Sequence, residues 1–418
     1  MRLFKYSRLD FLLTCVGLVF LLLDIVLDIV AVVAFYQERA YASLGILLLL
    51  LLGSSVLVQA FSWLWYSYDR FKRTTKVESC LTKGQLKLLH MLQLGIYFRH
   101  AGVVEVSLGS SSKVTDSEGI AVYLSHDLSM LRLIETFSES APQLVLMLTI
   151  MLQRGDLQPI TVLKALGSAS AVAFSVTMYH RSMRSFLPEK EKQPGLSSVV
   201  YFLWNLFLLS SRLVALALFA SVLPCFIFAH FLSSWAVLSF FAWRSKTDFM
   251  DSAWGERLYR ATVGLIWYFD WFNVSKGRTR YRTLLYHAYM LVDVALLCAL
   301  WGWQMSTEPP GLEVVGVGGG VVGLYVLGLV LKMLYYRCCH PNVAKGELGG
   351  DPGGDPIVER QCTDEIDVIV CLASIEAPAG EDQADEGVAV DRSGPREPPS
   401  VTRGCNKRMR KLAENFYS

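Results

Sequence analysis

The stretch from Ser129 to Met151, SMLRLIETFSESAPQLVLMLTIM, has the length of a membrane span but carries charged residues in its first half. Arg132, Glu135 and Glu139 occur at three- and four-residue spacing, so on a helix they form one polar stripe, and Asp127 lies roughly one turn earlier. A charge at the centre of a bilayer costs roughly 2.5–3.5 kcal/mol on insertion scales, so such residues normally face a bundle interior or a water-filled cavity. The stretch therefore predicts a membrane helix with polar partners on its neighbours.

The composition around this stretch is that of a membrane protein. Hydrophobic residues make up 53% of the 418 residues and only 18% is charged, and several apolar runs are long enough to cross a bilayer. The nine cysteines include no CxxC pair, so no disulfide framework is predicted. We find no metal-ligand spacing, nucleophile elbow or phosphate-binding glycine loop. The sequence therefore predicts neither an enzyme, nor a cofactor or metal, nor a nucleic-acid partner.

Ten apolar segments are spaced along the first part of the chain, and the positions of lysine and arginine predict which of them cross. Cytoplasmic connections carry an excess of these residues, and the basic connections lie on one side only if two of the segments do not cross. Those two, predicted to be re-entrant or interfacial, are Leu86–Val106 and Leu258–Phe272. The eight predicted spans are Leu9–Ala34, Tyr41–Trp65, Leu124–Leu152, Pro159–Tyr179, Val199–Leu223, Phe226–Trp243, Leu284–Trp303 and Leu312–Tyr336.

The predicted fold class is thus an all-α polytopic membrane protein with both termini in the cytosol. Two spans, a non-crossing helix and a further span occur once before Leu152 and again between Val199 and Trp303. With the span that follows each set, Pro159–Tyr179 or Leu312–Tyr336, each half holds four spans. Because this number is even, the halves are predicted to be pseudo-symmetric parallel repeats. Residues 1–343 form the predicted transmembrane domain. Residues 344–418, which begin with the linker-like GELGGDPGGDP, form a predicted cytosolic tail, largely disordered with short docking elements.

Charged residues inside the predicted spans are the main candidates for a functional site. Two readings of them are open. They are salt bridges and hydrogen bonds that fix helix packing, or they form a polar track that stabilises an ion or a lipid headgroup as it crosses. The residues are Asp10, Asp24, Asp28, Asp127, Arg132, Glu135, Glu139, Arg212 and Asp293.

Several stretches resemble the XK-related membrane proteins. The stretch Ser129–Leu152 is similar to a signature of that family, and VVYFLWNLFLL (Val199–Leu209), WFNVSKGRTR (Trp271–Arg280) and YYRCCHP (Tyr335–Pro341) extend the likeness. The resemblance implies a phospholipid scramblase of the plasma membrane that exposes phosphatidylserine in apoptosis after caspases remove its tail. It also implies eight spans, two non-crossing helices and a stair of charges matching the nine residues above. Implied partners are phospholipids, effector caspases and a single-span immunoglobulin-type protein, basigin or neuroplastin.

Two further sites are predicted near the carboxyl end. Asp364-Glu365-Ile366-Asp367 resembles an effector-caspase site cut after Asp367, and Asp385 is the alternative. Cys338 and Cys339, at the cytosolic end of the last span, are candidates for S-palmitoylation.

Two other functions remain open from the residues alone. A transporter or channel would use the same charges to bind an amino acid or ion, and a structural subunit would use them for assembly.

Overall fold

The computed structural model describes residues 8–71, 75–109, 115–155, 159–186, 193–274, 280–305 and 312–339. These residues are almost entirely helical, and no strand occurs among them. Two π-helical turns, Thr136–Ser140 and Tyr335–Cys339, interrupt or end longer helices. The α-helices are α1 (Arg8–Gln37), α2 (Tyr41–Tyr68), α3 (Lys76–Ser79), α4 (Lys83–Met91), α5 (Gly95–Gly109), α6 (Thr115–Glu135), α7 (Ala141–Arg154), α8 (Pro159–Phe186), α9 (Gly195–Val222), α10 (Phe226–Arg244), α11 (Ala253–Phe269), α12 (Arg280–Met305) and α13 (Leu312–Leu334).

Seven helices in the described ranges are long and apolar enough to cross a membrane. They coincide with seven of the eight predicted spans, so the chain is a polytopic helical membrane protein. The remaining predicted span, Leu124–Leu152, corresponds to α6, the first π-helical turn and α7. Its charged residues lower its mean hydropathy. The seven helices begin and end at Leu9–Gln37, Tyr41–Tyr68, Val162–Arg184, Gly195–Val222, Phe226–Arg244, Tyr281–Met305 and Val314–Cys338.

The segment from Arg132 of α6 to Arg154 of α7 follows the second half of α1. Asp24 of α1 lies 3.6 Å from Arg132, and Asp28, one turn further, accepts a 2.8 Å hydrogen bond from Gln143. Beyond the end of α1, Glu38 pairs with Arg154 at 2.6 Å. This segment therefore runs in the same direction as the second half of α1.

Helix α8 returns beside them. Phe174 packs against Phe20 with ring centroids 5.0 Å apart, and Arg181, seven residues later, reaches Asp10 near the start of α1 at 2.9 Å. The chain order along α8 is thus opposite to that along α1.

The segment predicted as one helix, Leu86–Val106, is in fact a hairpin of α4 and α5. The chain turns at Gln93, whose φ of 64° lies in the left-handed region that ends a helix. Gln93 is held against the middle of α2: its side-chain oxygen accepts from Ser55 at 2.8 Å and its carbonyl from Gln59 at 3.0 Å. Glu105 of α5 then accepts hydrogen bonds from the backbone at Lys76 and Val77, beside the start of the hairpin.

The second segment predicted not to cross, Leu258–Phe272, is observed as α11, Ala253–Phe269. The Ser252 side chain caps its first turn and also contacts Tyr68, at the end of α2, at 2.6 Å. Gly264 lets α11 approach α10 closely, because a Cβ at this position would lie 2.9 Å from the backbone of Ser239. The helix ends at Asp270, where the chain becomes extended.

The main hydrophobic core is centred on α9, in whose most apolar stretch about two thirds of the residues are buried. Helices α7, α8, α12 and α13 all pack against α9, and Ser211 of α9 donates a 2.7 Å hydrogen bond to the Val321 carbonyl of α13. No residue of α1 belongs to this core cluster. Instead, Ala31 and Phe35 of α1 join Leu47 of α2 in a small separate cluster.

Candidate functional site: the intramembrane charges

The charged stripe formed by Arg132, Glu135 and Glu139 lies against α1. Arg132 of α6 stands between two carboxylates, 3.6 Å from Asp24 and 2.9 Å from Glu135 one turn further along its own helix. Ser140 adds a 3.3 Å hydrogen bond to Asp24. The side chains are partly accessible, 16% for Arg132 and 26% for Asp24. Part of this cluster therefore remains open at the surface of the bundle.

The first π-helical turn positions the next residues of the stripe. The extra residue of such a turn shifts the following side chains around the helix axis, and these turns occur often at functional sites. Ser138 donates to the Ile134 carbonyl at 2.8 Å and contacts Ser54 of α2 at 2.9 Å. Glu139 is buried, and no arginine or lysine of the described residues lies within ion-pair distance of it. The turn thus places an acidic group among α1, α2 and α7 without a direct cationic partner.

A second pair joins the beginning of α1 to α8. Arg181 forms an ion pair with Asp10 at 2.9 Å and donates to the Gln193 carbonyl at 2.9 Å and to the Ser198 hydroxyl. The Gln193 amide in turn donates to the buried Tyr335 hydroxyl at 3.2 Å. A continuous set of hydrogen bonds therefore connects the first turn of α1 to the end of α13.

Asp127 belongs to a third group, on another side of α6. It lies 3.6 Å from Arg99 of α5, which also donates to the Ser62 hydroxyl and carbonyl at 2.8 and 3.1 Å and lies 3.9 Å from the centre of the Tyr66 ring. These contacts tie the α4–α5 hairpin to α2 and α6. Asp127 is five positions from Arg132, which places it on a different face of the helix from the stripe.

Arg212 and Asp293 form a fourth, largely buried group. They pair directly across α9 and α12, and the Arg212 side chain is 1% exposed. Arg212 Nε also donates to the Tyr268 carbonyl near the end of α11 at 3.1 Å. His230 of α10 completes the group, 3.2 Å from Asp293 and 2.9 Å from the Tyr268 hydroxyl. One ionic group therefore joins four helices in the half of the bundle that lies away from α1.

The nine predicted charges are consequently distributed over four groups rather than one line. The group of Asp24, Asp28, Arg132, Glu135 and Glu139 contains five of them, and the spacing predicted three of these, Arg132, Glu135 and Glu139, to lie on one stripe. Arg212 pairs with Asp293, and both were predicted members. Asp10, Asp127 and Asp293 also have partners that the sequence did not single out, Arg181, Arg99 and His230 respectively. Arg181 was predicted to lie in a loop after Tyr179. It lies in α8 instead, because this helix continues to Phe186.

A cavity of about 110 Å³ lies between the first and second groups. Its wall is formed by α1, α5, α6 and α8, with Asp10 and Arg181 in one part and Arg132 in another. Apolar side chains such as Leu13 and Phe174 complete the wall. The cavity follows α1 from Asp10 to Phe20, a rise of about 15 Å.

The carboxyl-terminal candidates lie at or outside the limit of the structure. Asp367 and Asp385 lie outside the described residues. Cys338 is exposed in the second π-helical turn, and Cys339 is the last described residue. Among the described residues, no three histidine, cysteine, aspartate or glutamate side chains are arranged to hold a metal ion.

The intramembrane carboxylates and guanidinium groups can stabilise charge without forming covalent bonds. Carboxylates and guanidinium groups inside a helical bundle offer a polar molecule partners that hydrocarbon cannot supply. The fold and these groups define a multi-pass membrane protein with a partly open ionic cluster beside its first helix.

Comparison with known proteins gives the family. The family described as XK-related protein matches residues 12–341. Curated relatives named XK-related protein 8 are 43% identical over 349 residues in Tetraodon nigroviridis, covering 81% of this chain and 85% of the relative. The relative in Gasterosteus aculeatus is 42% identical, and the match covers 84% of this chain and 88% of the relative. The relative in Pan troglodytes is 38% identical, and the match covers 80% of this chain and 84% of the relative. The chain belongs to the XK-related family.

Proposed function

We propose that this chain is a phospholipid scramblase, which lets lipids pass in both directions between the leaflets without an energy source. The observation that supports this best is the ionic cluster of Asp24, Arg132 and Glu135, which is partly open beside α1 rather than sealed in the core. A zwitterionic or anionic headgroup pays a large desolvation cost in hydrocarbon, and fixed charges of both signs lower that cost. No covalent step is required.

The course of the helices supports an eighth span. Contacts at Asp24, Asp28 and Glu38 lie between the second half of α1 and the segment from Arg132 to Arg154, and α1 is itself long and apolar enough to cross. We therefore propose eight spans, with the α4–α5 hairpin and α11 as the two helices that do not cross and with two parallel repeats. Both termini lie in the cytosol of a plasma-membrane protein in this arrangement.

The proposed regulation is removal of the tail by effector caspases, with Asp367 as the cut site and Asp385 as the alternative. The tail follows the second π-helical turn, where Tyr335 accepts a hydrogen bond from Gln193 and through it reaches the Asp10–Arg181 pair. A change at the start of the tail can thereby alter the beginning of α1. Palmitoylation of Cys338 and Cys339 would anchor the same region, and a single-span immunoglobulin-type protein is the proposed membrane partner.

The test is phosphatidylserine exposure, measured by annexin binding in cells that lack their own scramblases. The wild-type chain should expose phosphatidylserine after an apoptotic stimulus, and Asp367→Ala should prevent it. In a chain truncated after Asp367, Asp24→Ala should reduce the initial rate several-fold, whereas Arg154→Gln, which removes a charge from an exposed ion pair, should leave it unchanged. Exposure that persists in Asp367→Ala would move the cut to Asp385 or elsewhere. Saturable solute uptake with intact lipid asymmetry would replace the scramblase by a transporter.

A further inference from the structure

The outer face of α4, in the α4–α5 hairpin, changes from basic to apolar along the helix. Lys83, Lys87 and Met91 follow one another at four-residue spacing, so they form one row, and all three side chains are exposed. Leu88 and Leu92 lie beside this row and are 55% and 58% exposed. The start of α4 therefore presents two ammonium groups to the surroundings, and its end presents a bare apolar surface.

Contacts with α2 fix the depth of this outer face in the membrane. Gln93, at the tip of the hairpin, lies against the middle of α2. Ten residues earlier, Lys83 lies 4.1 Å from the centre of the Phe71 ring, just beyond the end of α2. Ten helical residues rise about 15 Å, which is half of the roughly 30 Å hydrocarbon core. With Gln93 at mid-membrane, Lys83 lies at the level of the lipid headgroups, and the exposed leucines lie at the level of the acyl chains.

The basic side chains around the start of α4 have no carboxylate partner among the described residues. Glu78 is buried and accepts a 2.6 Å hydrogen bond from Tyr66. Asp69 accepts one from Tyr123 at 3.1 Å, and Glu105 accepts from two backbone amides. Among the described residues from 69 to 109, the exposed charges are therefore all positive. They are Arg70, Lys76, Lys83 and Lys87, and none of them forms an ion pair there.

This pattern fits an anionic phospholipid better than an acidic peptide. Basic clusters next to a membrane helix attract anionic headgroups, and each lysine or arginine close to the surface contributes about fivefold in affinity. The lysine stems can lie along apolar surface while their ammonium groups stay with the phosphates. An acidic peptide would pair with the lysines but would leave Leu88, Met91 and Leu92 uncovered, whereas the acyl chains of a lipid cover them.

We infer that the outer face of α4 holds an anionic glycerophospholipid of the adjacent leaflet. Its phosphate lies beside Lys83 and Lys87, and its acyl chains lie along Leu88, Met91 and Leu92. The inference rests on the proposed position of the hairpin in the membrane but not on lipid transfer, because the lipid is retained and anchors the hairpin. None of these side chains belongs to the four ionic groups described above. Affinity increases with the negative charge of the headgroup, so a phosphoinositide binds more tightly than phosphatidylserine.

The experiment uses the purified full-length chain in phosphatidylcholine vesicles with an increasing fraction of phosphatidylserine that carries a photoreactive diazirine in one acyl chain. Phosphatidylcholine with the same chain is the reference probe. Labelling of α4 peptides, measured by mass spectrometry, should saturate at a low fraction of the phosphatidylserine probe. In the double variant Lys83→Gln with Lys87→Gln, the half-saturating fraction should rise by roughly 25-fold. Lys83→Arg with Lys87→Arg should keep the wild-type value, and Lys164→Gln, which removes an exposed lysine from α8, is the matched control.

Competition in the wild-type chain tests the ligand without relying on the folding of any variant. Unlabelled phosphatidylinositol bisphosphate should displace the phosphatidylserine probe at a lower fraction than unlabelled phosphatidylserine does. Salt at about 1 M should weaken the preference for the phosphatidylserine probe, because the charges that bind the headgroup are exposed and therefore screened. Displacement that is independent of both headgroup charge and salt would overturn the inference.

The remaining outcomes separate this site from the rest of the proposed arrangement. Equal labelling of α4 by the two probes, or an unchanged half-saturating fraction in the double glutamine variant, would overturn the site and leave the hairpin in the membrane. No labelling of α4 by either probe would overturn the position of the hairpin as well. In the tail, acidic residues outnumber basic ones. A preference for phosphatidylserine that appears only after truncation at Asp367 would assign the basic surface to this tail and overturn the inference.

Discussion

Replacing Arg212 by methionine tests what the most deeply buried ion pair does. The substitution keeps an unbranched side chain of similar length but leaves the Asp293 carboxylate with His230 as its remaining described partner and removes the donor to the Tyr268 carbonyl. Breaking one partner of a buried pair costs roughly 3–5 kcal/mol. At about 2 °C per kcal/mol for a large chain, the apparent unfolding temperature should fall by roughly 6–10 °C.

The double variant Arg212→Met with Asp293→Leu makes the prediction stricter. It removes both charges, so the chief remaining cost is the Tyr268 carbonyl without its donor, roughly 1–3 kcal/mol. The double variant should therefore be more stable than Arg212→Met alone, with a coupling free energy of about 2 kcal/mol or more. Its lipid-transfer rate should then also be near that of the wild type, because the pair holds α9, α11 and α12 together rather than contacting lipid.

The assay is thermal unfolding of the purified chain in detergent, followed by tryptophan fluorescence, with Arg154→Gln as the matched control. That arginine also pairs with a carboxylate, but the pair is 43–49% exposed, so its loss should cost about 0–1 kcal/mol. Equal unfolding temperatures for Arg212→Met and the control would refute the structural role. A double variant that is stable yet transfers no lipid would instead place Arg212 and Asp293 in the lipid path.

Three further predictions concern other parts of the fold. Gly264→Ala should lower stability by about 1–3 kcal/mol in the same assay because α10 leaves no room for a methyl group, whereas Gly53→Ala, with no neighbouring atom within 4 Å, should not. Gln93→Val should cost about 1–2 kcal/mol more than Gln93→Gly, since a β-branched residue is strained at a φ of 64°. The pKa of Glu38 is lowered, chiefly by its hydrogen bond to Arg154. The ion pair between Glu38 and Arg154 is therefore fully present at pH values above the ordinary glutamate pKa, and it is lost as the pH falls through the lowered pKa of Glu38. Amide hydrogen exchange near Arg154 should increase in that low pH range.

The sequence predicted well wherever length, apolarity and charge act together. Seven spans were recognisable because each has a long apolar run, and the spacing of Arg132, Glu135 and Glu139 identified the main ionic cluster. The partners were harder to predict. Arg181 was counted with a basic connection because lysines and arginines mark cytosolic loops, although α8 continues through it and buries it against Asp10.

Two local features had no adequate signal in the sequence. The turn at Gln93 depends on hydrogen bonds from Ser55 and Gln59 of another helix, and glutamine itself has no preference for a left-handed conformation. In the π-helical turn at Thr136–Ser140, Ser138 likewise donates a hydrogen bond to Ser54 of α2. Both conformations are accompanied by contacts with another helix, which helical periodicity cannot reveal.

The way in which α1 is attached has a mechanical consequence. This helix lies outside the main core. Asp10, Asp24 and Asp28 each bind a side chain of a neighbouring helix, and Phe20 and the small cluster around Phe35 add apolar contacts. In a bilayer, apolar side chains that leave a neighbouring helix meet lipid tails, so separation carries little hydrophobic penalty. We therefore expect separation of α1 from its neighbours to cost less free energy than separation of a core helix, with much of that cost coming from broken ion pairs and hydrogen bonds. A few polar contacts thus contribute much of the attachment of α1, while α7, α8, α12 and α13 remain packed against α9.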